Sequence, residues 1–169
     1  MNRQDVAATL ALPIAQELLA SSIPARLAYT GLDGLPRVIP LGFLLTGEHF
    51  VMGTVPASAK VGALRANPEV AITVDTQDQW PPRALLIRGR ADLQQVSGVP
   101  DAYVEACRKL IPPADFPAWE AGVRALYEEM VLISVEPHWA RLLDFETTAP
   151  KAVEDLARRQ QAAGRSQTG

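Results

Sequence analysis

From Ala25 to Gln94 apolar and polar positions alternate in short runs broken by turn residues, a pattern that predicts strands. Ala25–Thr30 reads as a first strand and Arg37–Leu45 as a second. Leu32–Leu35 joins them, with Asp33-Gly34 suited to a tight hairpin that needs positive φ. Pro36 and Pro40 lack amide donors, so the second strand is expected at an edge, a bulge or a rim. Gly47-Glu48 turns the chain into a third strand, His49–Val55, expected to lie antiparallel beside the second. A single short helix then interrupts the series. Ser58 is positioned to cap Ala59–Ala66 with its hydroxyl on an orphan amide, and Asn67-Pro68 ends the helix. Val70–Asp75 forms a fourth strand, and a polar loop, Thr76–Pro82, carries Trp80. Arg83–Gln94 is the fifth and longest strand, with Leu85, Ile87 and Gly89 on one face and Ala84, Leu86, Arg88 and Arg90 on the other.

The flanks have helical spacing. Val6, Leu10, Ile14 and Leu18 predict a helix over Asp5–Ala20, with Pro13 kinking it or starting a second one. Asp101 is expected to cap a helix bearing Tyr103, Val104, Cys107 and Leu110 that stops at Pro112-Pro113. A further helix, Pro117–Glu129, carries Trp119, Val123 and Leu126. These two read as an insertion, over about residues 100–129, between strands. Met130–Val135 is a sixth strand, and His138–Phe145 a seventh or its extension beyond Pro137. The whole predicts one mainly β domain over 1–150, a small barrel of six or seven mostly antiparallel strands, closed or half-closed, with peripheral helices. Pro150 opens a last helix, and residues 151–169 form a C-terminal helix with a flexible tail from about Gln160.

Composition narrows the function classes. With 169 residues, 48% hydrophobic and 21% charged, the chain can bury a core without staples. A net charge of -3 offers no electrostatic footprint for nucleic acid. No run approaches a membrane span and no leader pattern is present, so a cytoplasmic protein is expected. Cys107 is the sole cysteine and reads as an inert buried thiol. It excludes an intramolecular disulfide, and with only His49 and His138 no metal site is expected.

Candidate chemistry centres on Ser58-Ala59-Lys60. A lysine in a first helical turn opposes the helix dipole unless something negative neutralises it. A phosphate held by first-turn amides, the Ser58 hydroxyl and the Lys60 ammonium would do so, while a Lys60 pointing into water is the alternative. Arg37 could add a second charge. Arg88 and Arg90 share a face that could line a polar groove or cover a subunit rim, and Trp80 and Trp139 could stack on a planar ring or pack in a core or interface. There is no dinucleotide fingerprint, phosphate-binding P-loop or nucleophile elbow, and no residue is assigned as catalytic.

The ordered segments ARLAYTGLDGLPRVIPLGF, HFVMGTVPASAKVGALRANPEVAITVD and PPRALLIRGRADL resemble the pyridoxamine 5'-phosphate oxidase-like, flavin-binding split-barrel superfamily over about residues 10 to 148, and VEPHWARLLDFET is similar to its closing strands. The resemblance implies a six-stranded antiparallel split barrel that forms a homodimer, with two cofactors in grooves between subunits. It implies an FMN-dependent oxidoreductase acting on a small organic substrate, with an F420-dependent reductase or a non-enzymatic haem- or flavin-binding dimer as alternatives. Ser58 and Lys60 match the phosphate-holding serine and lysine, and Ala59 stands where an arginine would be. Thr54 matches the end-of-strand position near ring and phosphate, Arg37 matches a strand-two arginine that reaches the phosphate, and Trp80 or Trp139 would contribute from the partner chain. The oxidase's own substrate-binding residues find no match, which disfavours pyridoxamine phosphate as substrate.

Overall fold

The computed structural model describes residues 1–76, 78–147 and 151–166. Its order is α1 (Arg3–Leu10), α2 (Pro13–Ala20), β1 (Ala25–Thr30), β2 (Pro36–Leu41), β3 (Leu44–Thr46), β4 (His49–Thr54), α3 (Ala59–Ala66), β5 (Glu69–Asp75) and β6 (Arg83–Ser97). After these come α4 (Asp101–Arg108), α5 (Phe116–Leu126), β7 (Glu129–Asp144) and α6 (Lys151–Ser166). Pro13 starts a second helix, because a proline is tolerated where an amide would be orphaned anyway. The tail expected from Gln160 is helical as far as Ser166, and residues 167–169, like Pro150, lie outside the described residues. Among the described residues no helix is long and apolar enough to cross a membrane.

All seven strands form one antiparallel sheet in the order β2-β1-β5-β6-β7-β4-β3. The two outermost strands, β2 and β3, follow each other in the chain and are separated only by Gly42 and Phe43. The two edges therefore meet where the chain bends, and the sheet curls into a mainly β, antiparallel split barrel with peripheral helices. β2 and β3 are the halves of the expected second strand, which is why seven strands occupy the place of six. The expected pairing of that strand with the next holds only for its second half. Leu44 faces Val51, but β2 pairs with β1 from Ala25↔Leu41 to Thr30↔Pro36. Its two prolines sit on a strand with one neighbour, where a missing amide costs least.

The strands alternate as a half-buried sheet must. Leu85, Ile87 and Ala91 of β6, Ile72 and Val74 of β5, Phe50 and Met52 of β4 and Leu27 of β1 point into one core, which Val6, Leu10, Leu18 and Leu19 of α1 and α2 also enter. The break expected at Pro137 is absorbed within one continuous strand. Arg88 pairs with Trp139 and Gly89 with Pro137, so His138 is the extra residue of a β-bulge. Before it the odd positions Ile133 and Val135 are buried, and after it the even positions Ala140 and Asp144 are. One inserted residue thus keeps both halves of β7 facing the core. Gly89 is needed there, since a Cβ would lie 2.6 Å from the Glu136 carbonyl oxygen. Between β6 and β7 the chain forms α4 and α5. Pro100, not Asp101, occupies the N-cap of α4, and Asp101 is the acid of its first turn, where it favours the helix dipole.

Candidate functional site

The chain leaves β4 at Thr54 and enters α3 at Ala59, five residues later. The Ser58 amide donates to the Val55 carbonyl at 3.0 Å and the Val61 amide to the Ser58 carbonyl at 2.9 Å, a tight entry that folds the helix back onto the barrel end. Val61 and Leu64 anchor it there by burial. Lys60 is thereby returned over the end of β4. Its ammonium donates to Thr54 Oγ1 at 3.0 Å and to Ser58 Oγ at 2.7 Å.

Ser58 is the N-cap of α3, but its hydroxyl does not cap. It accepts from Lys60 instead and leaves the first-turn amides without a side-chain acceptor. This corrects the capping expected from sequence, and the physical reason is strength, since a hydroxyl bonds more tightly to an ammonium than to an amide. Thr54 is buried at 8% exposure. Lys60 is half-buried, and burial lowers its pKa with no carboxylate among the described residues to offset it. An ammonium has three donors and each hydroxyl keeps its own O–H. Three side chains therefore present spare donors and one positive charge in a place partly withdrawn from water, a chemistry suited to an anion with several acceptor oxygens.

Arg37 lies across a recess from Ala59, the first residue of α3. It lines this recess of about 280 Å³ with Tyr29, Gly31, Leu32, Asp33, Ala59 and Ala63, so the β1–β2 hairpin and the first turn of α3 face each other across it. Its Nη2 donates to Asp33 Oδ2 at 2.6 Å, and Asp33 Oδ1 accepts from the Leu35 amide at 3.1 Å. The Arg37 guanidinium, with the Leu35 amide, holds the Asp33 carboxyl below its ordinary range. Asp33 was not legible as part of any constellation, although an acid and an arginine four apart across an Asp-Gly hairpin are a usable signal.

The two tryptophans are elsewhere. Trp80 stands in the β5–β6 loop at 89% exposure. Trp139 lies on the outer face of β7, and the Arg88 guanidinium sits 4.6 Å from its ring centroid. Neither ring meets Lys60 within the chain. Arg90 pairs with Glu69 at 3.2 Å, and His138 Nε2 lies 3.3 Å from the other oxygen of the same carboxylate. Arg88 belongs to a row running straight across five strands, Val38, Ala28, Ala71, Arg88 and Trp139. Val38, Ala28, Ala71 and Arg88 of this row floor a shallow recess of about 350 Å³ rimmed by Arg37 and His138, and among the described residues none that lines it belongs to a helix.

The fold and this donor cluster together define a split barrel whose α3 begins beside a cluster of hydrogen-bond donors. The family model of pyridoxamine 5'-phosphate oxidase matches residues 13–128, and the chain belongs to that family. No curated protein sequence matches it. Among solved structures it is similar to an F420 reductase, with 25% identity, a TM-score of 0.56 and coverage of 75% of this chain and 94% of the other. It is also similar to a FAD-binding protein from Mesorhizobium loti, at 22% identity and a TM-score of 0.52 over 75% and 89% of the two chains. The heme storage protein HutZ from Vibrio cholerae shares 17% identity and a TM-score of 0.56 over 78% and 92%.

Proposed function

We propose that the protein is an FMN-dependent oxidoreductase acting as a homodimer on a small organic substrate. The observation that carries this is the Lys60 ammonium, half-buried, joined to Thr54 and Ser58 and unpaired with any acid among the described residues. A phosphate fits it in charge and in acceptor count. Lys60, the Ser58 hydroxyl and the first-turn amides of α3 would hold the phosphate, Thr54 would fix the lysine, and Arg37 would approach from the facing hairpin. When bound, the flavin supplies the electron-transfer chemistry, for which no side chain of this protein is suited. The chain orients the cofactor and keeps its phosphate out of bulk water. The recess floored by Val38, 64% exposed, Ala28, Ala71 and Arg88 supports pairing of two copies through that face, which would bring Trp80 or Trp139 toward the partner's cofactor.

A second reading is an F420-dependent reductase. Two observations favour it, the likeness to an F420 reductase at 25% identity and Ala59 in place of the expected arginine. A missing charge-assisted bond, about 1.5–3 kcal/mol, lowers phosphate affinity tenfold or more. Absorption spectroscopy of the purified protein, followed by titration with FMN and with F420, separates the readings. The two-band flavin spectrum supports FMN, the single deazaflavin band supports F420, and a Soret band indicates haem. A colourless protein that takes up neither FMN nor F420 would overturn the oxidoreductase assignment.

A further inference from the structure

The recess between the β1–β2 hairpin and α3 contains a carboxylate as well as a guanidinium. Asp33 and Arg37 both line it, opposite Ala59 and Ala63, so the Asp33 charge faces a recess that reaches the first residue of α3, next to Ser58 and Lys60 in the chain. The pair packs against Gly31. A Cβ on Gly31 would lie 2.7 Å from Asp33 Oδ1 and 3.2 Å from Arg37 Cζ, so both groups pack against the bare Cα of that residue. Yet only one strong bond holds the guanidinium, Nη2 to Asp33 Oδ2 at 2.6 Å, because Nη1 has only the carbonyls of Leu35 and Pro36 at 3.4 Å.

Resting on the phosphate-site assignment above, we propose that Asp33 is an internal competitor for Arg37. It holds the guanidinium within the recess, and the cofactor's phosphate displaces it. A carboxylate that merely oriented Arg37 would sit behind the guanidinium and leave its donors free toward the ligand, whereas Asp33 occupies a terminal nitrogen from within the recess. Both partners are close to half exposed, 42% for Arg37 and 47% for Asp33. Such a pair is weak enough for a doubly charged phosphate to outbid. Asp33 thereby sets how strongly the protein prefers a phosphorylated flavin to an unphosphorylated one.

The test reads that preference as the ratio of the riboflavin Kd to the FMN Kd, from fluorescence titration of the full chain. Asp33→Asn keeps the oxygen that accepts from the Leu35 amide and removes the charge. It is expected to raise the ratio about three- to five-fold, the reach of an exposed ion pair. The rise should vanish in an Arg37→Met background. Asp33→Ser, whose hydroxyl can also take the Leu35 amide, serves as the second variant should melting show that the first is unfolded. A ratio lowered by Asp33→Asn would make Asp33 a positioning residue and overturn the proposal, as would an unchanged ratio. The phosphate-site assignment fails separately. If the wild-type ratio is near one and Lys60→Met leaves it there, no phosphate is held at this place, and the competitor role falls with it. A large ratio that depends on Lys60 but not on Asp33 overturns the competitor role alone. If the protein takes F420, the same ratio is read from the deazaflavin with and without its phosphodiester tail.

Discussion

The Lys60 ammonium donates to the Thr54 hydroxyl at 3.0 Å, tying the first turn of α3 to the last residue of β4. Lys60→Met keeps the aliphatic stem and removes the charge. Because burial already penalises that charge, the variant is expected to melt no lower than the wild type. FMN affinity should fall tenfold or more, since a charge-assisted bond of about 1.5–3 kcal/mol is lost. Unchanged affinity in a flavin titration would remove Lys60 from the site.

Thr54→Val tests the same bond from its other end. Thr54 is 8% exposed, so loss of its hydroxyl leaves a half-buried ammonium with one acceptor and costs about 1 kcal/mol of stability. In the double variant with Lys60→Met the two effects should not add, because each removes the same interaction. Urea denaturation of the four proteins measures this. Strict additivity would show that the bond contributes nothing.

Gly89 and Gly62 predict opposite outcomes for one substitution. A Cβ on Gly89 would meet the Glu136 carbonyl oxygen and Val135 Cγ1, each at 2.6 Å, so Gly89→Ala should destabilise by about 1–3 kcal/mol. A Cβ on Gly62, inside α3, meets only Leu32 Cδ1 at 3.7 Å. There alanine should stabilise by up to about 1 kcal/mol through helix propensity. Equal melting temperatures for the two variants would contradict the packing at the β7 bulge.

Lys109, just after α4, predicts a pH effect. Its ammonium donates to the Leu19 carbonyl at 2.8 Å and lies 3.4 Å from the Phe43 ring centroid, and burial pulls its pKa down from 10.5 to about 8. The folded state therefore gives up this proton at lower pH than the unfolded chain does. The penalty for the buried charge is present below pH 8 and is relieved as pH rises from about 8 to 10.5. Relative to Lys109→Met, the wild type should gain about 1–2 kcal/mol across that window, a value reduced for solvent screening and for attraction by the ring. A stability difference that stays flat with pH would refute it.

Much of the barrel was legible because its signals are local. The alternation of Leu85, Ile87 and Gly89 against Arg88 and Arg90 marks the faces of β6, and Asp33-Gly34 marks the first hairpin, where Gly34 has φ +77°. The resemblance brought Thr54, Ser58 and Lys60 together as candidates, and the structure joins these three by hydrogen bonds. Arg37 faces the same helix start, paired with Asp33. Trp80 and Trp139 could not be placed from sequence, because what an exposed ring packs against depends on surfaces far away in the chain.

By itself the sequence determined the order and faces of the strands, the helix that begins after Ser58 and the membership of the family, since periodicity, turn chemistry and motif order are properties of neighbouring residues. Only the tertiary structure decided that the second strand breaks at Gly42-Phe43 to join opposite edges of the sheet and that His138 is the bulge residue restoring the phase of β7. It also decided that Ser58 serves Lys60 rather than its own helix. Each depends on which distant groups are brought together and how far they are withdrawn from water, and desolvation and long-range pairing are energies that no local pattern carries.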